Sequence, residues 1–363
     1  MILGIIISVF IPLAFLYIIW TFDIYQLSRV PVLFGALLWG WFTFAVALNV
    51  QNALMRAGML DFWQISLFNA PVLEQLLKAT FLIWLASQMR LRSAIDGAVY
   101  GFAVGTGFAM AENLLYVSGT PDGALGIALA RVLSVSLMHA YTTAIVGTVA
   151  GASQYMAQHA HTRRIGLALL VSVMLHGLFN RLVMTVDGLP LISVAIAIGL
   201  GGTALIALSM QRALLADIAL IGRELGTLAP ALPTLETLTP PQLAALAAEA
   251  RADRQGQREL VHAYIALHAE RSVLRRGLEQ NERPQFDAML AGRLAAIDRR
   301  LEHLRDQMGL YACVWLGAVL YGSHHGRWDQ VRGRLMARQP APARVLDLRQ
   351  RAPVRSSRRT THA

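Results

Sequence analysis

Four segments of an otherwise apolar chain carry groups suited to acid–base or metal chemistry. "APVLEQLLK" sets Glu74 and Lys78 four residues apart, and "GFAMAEN" ends in Glu112 and Asn113. "LMHAYTT" holds His139, and "LHGLFNRL" spaces His176 and Asn180 so that both project from one helix face. An Asp, Lys or Arg at mid-span costs about 2.5–3.5 kcal/mol on insertion scales, so each such group needs a partner or a purpose. The bland readings are a Glu74–Lys78 ion pair, bonded core histidines and packing seams. Against them, four helices would bring carboxylates, imidazoles and an amide to one depth, which is improbable as four separate accidents. A carboxylate with two imidazoles activates water in either of two ways. Glutamate and one histidine accept protons directly, or Glu74, His139 and His176 hold Zn²⁺, which lowers the pKa of the bound water. Asn180 and the second imidazole would then donate to the oxyanion that forms as water adds to a carbonyl. The chain has no HExxH motif, and the residues leave the zinc and metal-free routes both open.

The elements that position these residues are transmembrane helices. The chain has 363 residues, is 55% hydrophobic with a mean hydropathy of +0.48, and is 15% charged, where a soluble domain is nearer a quarter. Seven stretches meet the requirement of about 20 apolar residues, roughly 2–20, 31–50, 71–88, 95–117, 130–151, 165–186 and 189–210. All should be helical. The first lacks a basic leader and a small-residue cleavage site and reads as a retained span. Gly97, Gly101 and Gly105 recur every fourth residue, as do His139, Thr143, Gly147 and Gly151, the pattern of close helix seams. Arg90 and Arg92, Arg163 and Arg164, and Arg212 flank spans on one side, while the opposite loops hold Arg56 and Arg181 as exceptions. The positive-inside rule then sets the N-terminus outside and the C-terminus in the cytoplasm.

In order along residues 70–181, these segments resemble the motifs of the PrsW family of intramembrane proteases, related to the CAAX prenyl protease and bacteriocin-processing superfamily. "APVLEQLLK" is similar to the family's EExxK, "DGAVYGFAVGTGFAMAEN" to its glycine-rich DG...GFG...EN, "LMHAYTTAIVG" to its third motif and "HGLFN" to its closing HxxxN. The resemblance implies catalytic places for Glu74, His139, His176 and Asn180, with Glu112 and Asn113 as a further motif pair. It also implies peptide-bond hydrolysis in membrane-anchored proteins, such as anti-sigma-factor-like substrates, in a bacterial inner membrane. The family is named for metalloproteases, while its superfamily is also described with glutamate as the general base. The chain departs from the pattern at Gln75, where the first motif has a second glutamate. Successive helix residues point about 100° apart, so only one of the two faces a scissile bond, and an active enzyme is the expectation.

Beyond the membrane region, 211–242 reads as a proline-rich linker, 243–338 as a cytoplasmic helical module and 339–363 as a basic disordered tail attracted to anionic lipid. These two C-terminal segments and the linker carry most of the net charge of +10. Leu260, Tyr264, Leu267, Leu274 and Leu278, then Leu290, Leu294, Ile297, Leu301, Leu304 and Met308, predict two antiparallel amphipathic helices. Residues 258–308 would serve a protein partner or self-association. The apolar run 310–322 is expected to pack on that hairpin. His159 with His161, and His324 with His325, read as exposed loop residues, and no motif for nucleic acid is present. The architecture expected is therefore all-α, a polytopic bundle of about seven spans with a soluble helical extension. A membrane scaffold recruiting partners through its C-terminal helices is the competing function. A transporter fits less well, because the polar groups lie on one side and no internal repeat is visible.

Overall fold

The computed structural model describes residues 1–23, 29–185, 188–228 and 238–322. The proposed tail, His324, His325 and part of the linker lie outside these residues. Every regular element among the described residues is helical: α1 (Ile2–Trp20), α2 (Val30–Arg56), α3 (Phe62–Gln64), α4 (Ala70–Ser87), α5 (Ala94–Gly119), α6 (Ala124–Leu133), α7 (Val135–Ala152), α8 (Gln158–Thr185) and α9 (Gly188–Leu228) form the apolar part. α10 (Pro240–Ala252), α11 (Arg254–Glu279), α12 (Asp287–Gln307) and α13 (Leu310–Gly322) complete the chain. An all-α membrane bundle with a helical extension is thus what the chain forms.

Among the described residues, six helical stretches are long and apolar enough to cross a bilayer: Ile2–Trp20, Val30–Arg56, Ala94–Gly119, Pro121–Ala152, Gln158–Thr185 and Ile192–Ala216. The expected third span, α4, is not among them, because Glu74, Gln75 and Lys78 dilute the hydropathy of an 18-residue helix. It is extended at its start by α3 and by a π-helical turn, Ile65–Asn69, so the helical run over 62–87 is continuous. Asp61 starts that run, accepting from the Gln64 N–H at 2.7 Å while Gln64 Oε1 accepts from the Asp61 N–H. The expected fifth span also differs. It breaks at Ser134 into α6 and α7, and the Ser134 hydroxyl donates to the Ala130 carbonyl at 2.6 Å.

α5 is the central post, with 94% of its most apolar window buried against 22% for α2, α8 and α9, whose outward leucines, methionines and aromatics are free to meet lipid. α5 sits this deep because its seam with α7 has no room for side chains. A Cβ on Gly97 would overlap the carbonyl of Gly147, and one on Gly105 would overlap the carbonyl of His139. The extension packs α11 against α12 on Leu267, Leu274, Leu290, Ile297 and Leu301. α13 lies against α10 and α11, where Glu249 accepts from the Tyr311 N–H and Gln257 from the Gly309 N–H. The extension is fastened to the membrane helices. Glu282 accepts from the Ala157 N–H, Arg92 pairs with Glu270 at 2.9 Å, and Arg293 donates to the carbonyls of Met89 and Gln88. His161 departs from expectation: it is buried at 4% exposure in the first turn of α8, with Nδ1 at 2.9 Å from the Ser153 hydroxyl. His159 is exposed.

Candidate active site

Glu74, near the start of α4, His139, in the second turn of α7, and His176, late in α8, offer ligand atoms that all lie within 4.8 Å of one another. All three are buried. The His139 and His176 rings meet edge to face with centroids 5.0 Å apart, and Phe108 covers His139 at 4.8 Å. Glu74 Oε1 accepts from Gln51 of α2 at 3.2 Å, while Oε2 lies 3.9 Å from His176 Nε2, too far for a hydrogen bond. Glu74 Oε2 and His176 Nδ1 are buried without a hydrogen-bond partner. Such orphaned groups cost free energy unless something else binds them, and they belong to two residues that stand on either side of a small gap.

Lys78 does not neutralise Glu74 by direct contact, as its spacing suggests. Its Nζ lies 3.0 Å from His139 Nδ1 and 4.6 Å from the centre of the Phe108 ring. An ammonium has donors only, so Nδ1 accepts and Nε2 keeps the hydrogen, which it donates to Glu112 Oε2 at 3.0 Å. The same carboxylate oxygen forms an ion pair with Arg131 at 2.9 Å. Arg131, at the end of α6, also donates through Nε to Asn113 Oδ1 at 2.9 Å and stacks on Tyr116 at 3.8 Å, while Asn113 Nδ2 donates to Ser136 at 2.6 Å. Glu112 and Asn113 thus hold α6 and α7 around the break at Ser134 and orient His139 from behind.

Asn180 takes a different place from the one its spacing suggests. Its amide nitrogen donates to the carbonyl of Ser66 in the π turn at 2.9 Å, so that donor secures the entrance to α4 and is not directed at the trio. Gln75 points to the helix seam, where Nε2 donates to Thr142 Oγ1 at 2.7 Å and approaches the Ser172 carbonyl at 3.5 Å. Sequence reasoning missed Arg131 and Gln51. Arg131 carries the same signal as the residues it serves, a charge inside an apolar run, whereas Gln51 acquires its part only through tertiary packing.

Glu74, His139 and His176 form a donor set suited to a divalent metal: one carboxylate, two imidazoles, and two buried atoms with nothing else to bind. Both nitrogens of His139 are engaged in this arrangement, so its service as a ligand requires Lys78 to leave Nδ1.

Residues 28–208 match the family model described as PrsW family intramembrane metalloprotease. Over 85 residues, 23% of the chain, the sequence is 35% identical to Protease PrsW of Bacillus subtilis (strain 168). That alignment spans 38% of the length of the curated relative. No solved structure matches the chain. Matched from α2 into α9, and with Glu74, His139 and His176 gathered from three separate helices, the chain belongs to the PrsW family.

Proposed function

We propose that this chain is an intramembrane endopeptidase that hydrolyses a peptide bond of a membrane-anchored protein near the extracytoplasmic face, with its C-terminus in the cytoplasm. The observation that carries the reading is the Glu74 carboxylate: buried, unpaired at Oε2, and facing His176 within a trio completed by His139. Family membership supports hydrolysis as the reaction class. Single-pass proteins, including anti-sigma-factor-like ones in an inner membrane, are the substrate class that fits. Glu74, His139 and His176 would hold Zn²⁺, which when bound supplies Lewis acidity and lowers the pKa of a water molecule.

The chain's own residues have the following work. With the metal, Glu74 would serve through Oε2 while Gln51 fixes the carboxylate through Oε1; without it, the same Oε2 accepts a proton from water and His176 stands opposite as the second proton carrier. Glu112 and Arg131 fix the ring of His139, and Phe108 keeps water from its face. The contact between Lys78 and His139 Nδ1 supports a second version of the same reaction, in which Glu74 acts as base without metal and Lys78 stays in place as a cationic donor for the oxyanion.

The test is cleavage of candidate single-pass substrates by the full chain in proteoliposomes. Glu74→Ala and His176→Ala are each expected to lower the rate by about 10²–10⁴-fold. Undiminished cleavage by both variants sinks the proposal. Zinc near one per chain, lost in His139→Ala, selects the metal route, and activity that survives chelators selects the glutamate route.

A further inference from the structure

At the far end of α4 from Glu74, roughly 16 Å of helix rise away, the membrane helices and the extension enclose a cavity of about 330 Å³. One water's share of liquid volume is about 30 Å³, so the space suits a polyatomic ligand. Its walls present Arg29, Arg90, Arg92, Arg293 and Arg300 against one carboxylate, Glu270. Glu270 is taken by Arg92. Arg293 is held on the carbonyls that close α4, and Arg90 stacks on Trp84 at 5.3 Å. The side chains of Arg29 and Arg300 have neither a hydrogen bond nor an ion pair among the described residues. Asp96 lies behind this wall, accepting from the Arg92 N–H.

Like charges gathered around a partly enclosed space repel one another, and a bound anion removes the repulsion. Burial chiefly, and after it the nearby Arg92, Arg90 and Arg29, hold the Arg293 guanidinium below its ordinary pKa. Guanidinium groups present paired donors that match phosphate oxygens. Trp84 is exposed beside the cavity, as aromatic residues are at the headgroup level of a bilayer. Neither the trio around Glu74 nor peptide hydrolysis makes use of any of these arginines.

We propose that this cavity binds a phosphate group, carried by an anionic phospholipid headgroup or by a soluble phosphate compound, and that the bound group ties α11 and α12 to the ends of α2 and α4. Two walls supply the charge: Arg29 just before α2 with Arg90 and Arg92 just after α4, and Arg293 with Arg300 from α12. The ligand therefore acts as a clasp between the two parts of the chain.

The test uses the purified full chain in neutral detergent, titrated with short-chain phosphatidylglycerol, short-chain phosphatidylcholine, inorganic phosphate and pyrophosphate, and read by native mass spectrometry and by the unfolding temperature. Saturable binding of phosphatidylglycerol alone identifies a lipid headgroup, and saturable binding of inorganic phosphate or pyrophosphate as well identifies a soluble phosphate. In either case Arg90→Gln with Arg300→Gln is expected to weaken binding by at least about tenfold, while Arg181→Gln with Arg212→Gln, away from the cavity, changes it less than about twofold. Should the first pair fail to fold, Arg29→Gln alone gives the same comparison. Absence of saturable binding by every probe, or equal affinity in the cavity and control variants, overturns the proposal.

Discussion

The two ends of the membrane bundle handle charge in opposite ways. At one end Glu74, Lys78, Glu112, Arg131, His139 and His176 sit among packed helices: Arg131 answers Glu112 at 2.9 Å, Lys78 lies 3.0 Å from His139, and Glu74 lies 3.9 Å from His176. At the other end arginines outnumber carboxylates around an open space. A charge removed from water needs an internal partner of fixed geometry, whereas a charge beside solvent or headgroups can wait for an external one. Substitutions should therefore be costly at the first end and quiet at the second until a ligand is present.

The strongest break in that contrast is Arg131→Met. It leaves Glu112 and Asn113 without their shared cation; a fully buried pair deprived of one partner loses about 3–5 kcal/mol, and this partly buried one should lose somewhat less. Unfolding in detergent should show most of that figure, and cleavage should fall because His139 loses its fixed orientation. Arg131→Lys is expected to rescue stability in part only, since an ammonium lacks the fork that reaches two neighbouring side chains. If Arg131→Met unfolds at the wild-type temperature, the first end is not a balanced network.

A smaller effect is expected from Gly105→Val. The added side chain meets the backbone of His139, so α5 and α7 must separate, at a cost of about 1–3 kcal/mol. Cleavage should drop further than stability, because the displaced backbone carries a site residue. Comparable losses in Gly126→Val, where a Cβ meets nothing, would show that the seam has no special part.

Gln75→Glu should change cleavage least, though it costs stability about as much as Gly105→Val, and it sharpens the comparison most. The second motif glutamate would be restored, yet its oxygens would face the Ser172 carbonyl and replace the donor now bound to Thr142. The expected result is a stability loss of about 1–3 kcal/mol with no gain in cleavage. A severalfold gain would mean that position 75 belongs to the chemistry after all.

Apolar run length made most of the bundle legible, and the glycine rows announced the α5–α7 seam. The exceptions are instructive. α4 falls short of a span by composition because it carries Glu74, Gln75 and Lys78 together, and the division of α6 from α7 depends on backbone geometry at Ser134 that residue types do not encode. In the site, Glu74, His139, His176 and Glu112 stood out as polar groups in apolar runs, and the structure brings them together. Which of them touch was not legible. Lys78 turning to His139, Asn180 turning to Ser66 and Gln51 reaching Glu74 are contacts between helices, and spacing along one helix says nothing about its neighbours. His161 looked like a loop residue because Ser153, its partner, belongs to the preceding turn of chain.

The π turn before α4 carries a consequence for how this protein tolerates change. A π turn holds one residue more than an α turn, and each helical residue advances the chain by about 100°. Deleting a single residue from 65–69 would wind the turn back to regular form, and because the extra residue is held inside that turn the helix on either side would face as before, with Glu74 still turned to His176. The turn is thus a slack link in front of the carboxylate: a one-residue deletion within it should be tolerated, whereas a one-residue deletion from the regular turn at 70–73 would move Glu74 by about 100° and silence the protein.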